Sequence, residues 1–158
     1  MTKIDMNLFL KYIKPNTDEE NNYCDYQLCG KCGGNCCKSM GCHISPDDLS
    51  EVTYESIRDL IESGCVSIDQ WEADKPIYYL RMRNSNGKEY DLSWGGICVL
   101  FGESGCPLEF SHRPKGARHL IPSGDGRCND VYSKSDCKDD WKKYQDILSK
   151  VLNDVKNR

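Results

Sequence analysis

Cys29-Gly-Lys-Cys32-Gly-Gly-Asn-Cys36-Cys37-Lys-Ser-Met-Gly-Cys42 places five thiols within fourteen residues. Gly30, Gly33, Gly34 and Gly41 between them let the backbone wind closely around a small object. Thiolates converging from such a loop suit one soft or borderline centre, zinc or iron–sulfur, where carboxylates would suit harder ions. The adjacent pair narrows the chemistry. In an extended segment Cys36 and Cys37 point to opposite faces, so they serve two irons of one cluster, or two metals, more readily than one tetrahedral zinc. A zinc ribbon carries two clean Cys-x-x-Cys knuckles, and here only Cys29-x-x-Cys32 is one, so the pattern leans towards iron–sulfur.

The chain has eleven cysteines in 158 residues, and they do not read alike. Cys98 and Cys106 each sit beside glycines in turn-rich sequence, a setting that a core thiol does not need, and they join the ligand set with Cys29, Cys32, Cys36, Cys37 and Cys42. Cys128, in Gly124-Asp-Gly-Arg-Cys128, reads equally as ligand or bystander and is kept in the set. Cys24, just upstream, reads either way and is left out. Cys65 opens a strand and reads as a small buried hydrophobe. Cys137 falls in the first turn of a helix, where an exposed or half-buried structural thiol is expected. His43, His112 and His119 are left out of the set, since a lone histidine more often makes hydrogen bonds than binds metal. Arg113 and Arg118 could bind an anion or brace thiolates; surface salt bridges are the commoner use.

A disulfide scaffold is the rival reading. Against it stand an odd cysteine count, no export signal in Met1-Thr-Lys-Ile-Asp-Met-Asn-Leu-Phe-Leu, and the poor pairing geometry of adjacent cysteines. No apolar run approaches the roughly 20 residues that cross a bilayer. These features predict a cytoplasmic chain with reduced thiols. A net charge of -4 and a pI near 5.4 offer no basic field, so neither nucleic acid nor an anionic membrane is expected as a partner. Hydrophobic residues make up 38% and mean hydropathy is -0.69, which predicts a modest core that benefits from a metal staple. From Cys24 to Cys42 the apolar side chains are Tyr26, Leu28, Met40 and little else. Metal is therefore expected to contribute to the folding free energy of that loop.

The elements that must position these thiols read as α+β: a small metal-stapled single domain over residues 1–158, with a cysteine-rich loop, a short antiparallel hairpin or sheet and a C-terminal helix. Asn7 to Lys14 predicts a short helix stopped by Pro15, with Leu8, Leu10, Tyr12 and Ile13 loosely apolar. Ser45-Pro46-Asp47-Asp48 predicts a helix start, with Ser45 as cap, Pro46 in the first turn and the two acids at the positive end of the dipole. A helix from Thr53 carries Ile57, Leu60 and Ile61 on one face and ends at Gly64. Val66, Ile68 and Trp71 alternate as in a strand. Ile77 to Arg83, the turn Asn84-Ser-Asn-Gly87 and Lys88 to Leu92 predict a hairpin. Residues 135–155 predict one long helix, its stripe of Trp141, Tyr144, Ile147, Leu148, Val151, Leu152 and Val155 packed on the strands rather than on the thiol loop. Asp139 with Lys143 and Asp146 with Lys150 would brace its outside.

The segment Cys29-x-x-Cys32-x-x-x-Cys36-Cys37, then Cys42-His43-Ile44-Ser45 and a Pro-Asp-Asp-Leu start, resembles the YkgJ-type cysteine-cluster family of zinc- or iron-chelating proteins. The family's second half also has a counterpart: Cys98 and Cys106 in a short loop, then Arg113-Pro114 and, further on, Pro122. The likeness runs over 29–122. It implies a [4Fe–4S] iron–sulfur cluster or zinc held by clustered cysteines. Two departures matter. Ala117 stands where the family would place a cysteine, leaving Cys128 or Cys42 as the substitute, and the gap from Cys32 to Cys36 is one residue longer than the usual spacing. That longer gap, with Thr53-Tyr54 downstream, is similar to the cysteine region of flagellin lysine-N-methylases, which are much longer; metal binding carries over from them and methyl transfer does not.

The expected function is a cytosolic metal-binding protein, holding an iron–sulfur cluster, zinc or iron, in redox chemistry or in the modification or maturation of another protein. The alternative is a zinc-stabilised interaction module without catalysis. No phosphate loop, dinucleotide fingerprint, Ser/His/Asp set or His-Glu-x-x-His helix supports a standard enzyme class, and whether the chain is an enzyme stays open.

Overall fold

The computed structural model describes residues 3–16, 42–71, 75–92, 97–102, 106–121 and 129–157. Helix α1 (Met6–Lys11) starts where the Asp5 carboxylate accepts the Leu8 N–H at 3.0 Å and buries Phe9 completely. It is shorter than its sequence suggests, and Phe9 rather than the exposed Leu10 carries its packing. Helix α2 (Tyr54–Glu62) follows its sequence closely. Thr53 and Ser56 form the reciprocal cap, Ile57, Leu60 and Ile61 are buried together, and Gly64 turns the chain away with φ of 83°, a conformation that a side chain would resist.

Strands β1 (His43–Ile44), β2 (Val66–Trp71) and β3 (Ile77–Met82) form an antiparallel sheet in the order β1-β3-β2. β3 is the central strand, pairing His43↔Arg81 and Ile44↔Leu80 on one side and Val66↔Met82 through Trp71↔Ile77 on the other. The expected hairpin between 77–83 and 88–92 is therefore corrected. The turn is present, with the Gly87 N–H donating to Asn84 O at 2.8 Å, but both edges of β3 are already taken. The chain after the turn instead runs parallel to β2, accepting from Ile68 N at Glu89 O (2.8 Å) and donating from Asp91 N to Ile68 O (3.0 Å). Arg81 holds this arrangement, its guanidinium reaching Asp69 at 2.9 Å and the Asp91 carbonyl at 2.9 Å.

Two further strands, β4 (Leu120–Ile121) and β5 (Asn129–Asp130), pair antiparallel. The chain then enters α3 (Lys134–Trp141), a 3₁₀ turn over Lys142–Tyr144 and α4 (Gln145–Lys156). The single helix expected over 135–155 is thus two helices. Ser133 caps the first, which begins at Lys134, one to two residues before the expected start, and Asp139 pairs with Lys142 at 3.0 Å rather than with Lys143. The apolar stripe packs on β3 and α2 as expected, with Trp141, Leu148 and Val151 fully buried. Cys137 is not exposed or half-buried but completely enclosed. Its S–H donates to Ile44 O at 3.3 Å, beside the Trp141 indole N–H, which donates to the same oxygen at 2.7 Å. No helix among the described residues is long and apolar enough to cross a membrane.

Candidate functional site

Three cysteines from separate stretches, Cys42, Cys98 and Cys106, line one cavity of about 50 Å³. Cys42 reaches it because its carbonyl accepts the Met82 N–H at 2.8 Å, fixing the residue before β1 against the end of β3. Cys98 reaches it through an antiparallel bridge to Asn84, with Ser85 N donating to Ile97 O (2.7 Å) and Val99 N to Arg83 O (2.8 Å). Arg83 anchors that point. Its buried guanidinium donates to Ile61 O at the end of α2 (2.9 Å) and to Val66 O (2.8 Å).

The opposite wall is the segment Arg113-Pro114 and Ala117, the latter on a one-turn helix over Lys115–Arg118. It is held from behind by Asp48. One carboxylate oxygen pairs with Arg118 at 2.8 Å, and the other accepts the Lys115 N–H at 2.8 Å and the Ser45 N–H at 2.9 Å. Ser45-Pro46-Asp47-Asp48 does form a capped 3₁₀ turn, but Asp48 serves as a buried strut rather than a dipole partner, and Arg118 is a buried member of that strut rather than a surface ion. Burial pushes the Asp48 carboxyl above its usual range, opposed by Lys115 N–H and Arg118. Gly116 is required by this contact, since a Cβ there would lie 2.6 Å from His43 O.

Electrostatics differ among the thiols. Burial pushes the Cys98 thiol up to about 11; the Leu100 N–H opposes this, the Cys106 and Cys65 thiols reinforce it, and the Phe101 N–H opposes it in turn. Backbone N–H groups facing a sulfur favour its thiolate. Met82, only 2% exposed, adds a thioether to the cavity wall, and Leu100, Leu108 and Pro114 make the remainder apolar. The donor set fits a soft metal centre in kind: thiols and a thioether, with no described carboxylate on the wall. It does not complete one, because among the described residues no three or more His, Cys, Asp or Glu side chains are grouped so as to hold a metal ion.

Of the predicted ligands, Cys42, Cys98 and Cys106 come together; Cys29, Cys32, Cys36, Cys37 and Cys128, like Cys24, lie outside the described residues. Among the described cysteines, Cys65, Cys98 and Cys137 are free thiols. The histidines are occupied elsewhere. His43 Nε2 donates to Tyr132 O at 2.5 Å with its ring stacked on Tyr132, His119 meets the same ring edge-on, and His112 contacts Ser111 Oγ. Met82, Asp48 and Gly116 were not legible as site residues. Met82 sits in a strand that reads as ordinary core, and nothing local links Asp48 or Gly116 to partners 70 residues away or more. No protein-family model, curated protein or solved structure matches the chain.

Proposed function

We propose that this chain holds a metal through its clustered cysteines, an iron–sulfur cluster or zinc, with Cys42, Cys98 and Cys106 as the described ligands and Cys29, Cys32, Cys36, Cys37 and Cys128 as candidates for the rest. The observation that carries the reading is the convergence of three thiols, from segments 42, 98 and 106, on one small apolar cavity. Core packing does not need such convergence, and a soft centre does. The resemblance to the YkgJ-type cysteine-cluster proteins belongs to the same proposal. Ala117, where that family would carry a cysteine, lies on the cavity wall beside the three thiols. When bound, an iron–sulfur cluster would supply one-electron chemistry, and zinc would fix the fold. The associated roles are redox work, or modification or maturation of a protein partner, in the cytoplasm.

Anaerobic purification followed by iron, acid-labile sulfide and zinc analysis tests this. Brown protein with iron and sulfide in stoichiometric amounts supports the cluster and the redox role. Colourless protein with zinc supports a zinc-stabilised interaction module. Protein that carries neither, and takes up neither on anaerobic reconstitution, overturns the metal reading.

A further inference from the structure

We draw no further inference here: the strongest candidate, a redox pairing of the Cys98 and Cys106 thiols across the small apolar cavity, belongs to the site already described, and nothing among the described residues sets the two sulfurs at bonding distance.

Discussion

Cys98 and Cys137 are both buried, at 7% and 0% exposure, and burial pushes both thiols upward, yet their sulfurs face opposite partners. Cys137 donates to the Ile44 carbonyl, a contact that needs the proton to stay on sulfur. Cys65 is of the same kind, its sulfur 3.8 Å from Ser63 O. Cys98 instead faces the Leu100 and Phe101 N–H groups, which favour a sulfur without its proton, and it shares a cavity with two more thiols. Burial therefore does not separate a core cysteine from one on the cavity wall. The hydrogen-bonding sense of the neighbouring backbone, and whether other thiols share the space, do.

Two substitutions should have the largest effects, and they divide the molecule along this line. Trp141→Ala should cost about 3–5 kcal/mol in urea unfolding, because it empties a fully buried site, while metal per folded molecule stays unchanged. Asp48→Ala should cost a similar 3–5 kcal/mol by stranding Arg118 in the interior. It should also weaken metal binding, because the strut supports the wall bearing Arg113 and Ala117. Metal lost from folded Trp141→Ala protein, or retained in full by Asp48→Ala, would erase the division between core and cavity.

Next in size are the thiols themselves. Cys137→Ser and Cys65→Ser should each destabilise by about 1–3 kcal/mol and keep full metal content; Cys98→Ser should lose metal. The alkaline limb sharpens the point. Without metal, the Cys98 thiol titrates near 11 in the folded chain, against about 8.5 for an ordinary cysteine. Its contribution is complete below the ordinary value and is lost as pH rises through the folded one, on the order of 3 kcal/mol. Cys98→Ser should flatten that loss in denaturation curves of the metal-free protein. Metal should invert the sign, with stability lost towards acid as protons displace it. The smallest effect on stability should come from Ala117→Cys, under about 1 kcal/mol, since the side chain already borders open space. That variant should raise Zn²⁺ affinity measured against a competing chelator; no gain would show that Ala117 faces away from the centre.

The parts of the fold governed by neighbours in the chain were legible. Thr53, the Ile57/Leu60/Ile61 face and Gly64 define α2 from end to end, and the structure matches them. The hairpin at Asn84–Gly87 was misread because the turn is local, whereas the occupancy of both edges of β3 depends on β1, more than 30 residues upstream. The site divides in the same way. Cys42, Cys98 and Cys106 announced themselves by residue type and glycine context, but Asp48 looked like a helix-start acid because its partner Arg118 lies 70 residues on. The separate fates of Arg113 and Arg118 could not be read from two similar side chains five residues apart.

The shared oxygen of Ile44 also sets a timetable. Its two donors, Cys137 and Trp141, lie 93 and 97 residues further along the chain. At synthesis rates of roughly 5–20 residues per second, the segment bearing Cys42 waits several seconds on the ribosome before those partners exist. Cys98 and Cys106 emerge during that interval, so the thiols are all present before the clamp that steadies one of them. Long-range closure of this kind also slows folding of the free chain. On the proposed metal reading, metal delivery and chain completion are thus expected to overlap in time. In pulse-labelled refolding, the Met82 amide, which is bonded to Cys42 O, should become protected no earlier than the Trp141 indole; earlier protection would show that the first thiol is set in place without waiting for the C-terminal helices.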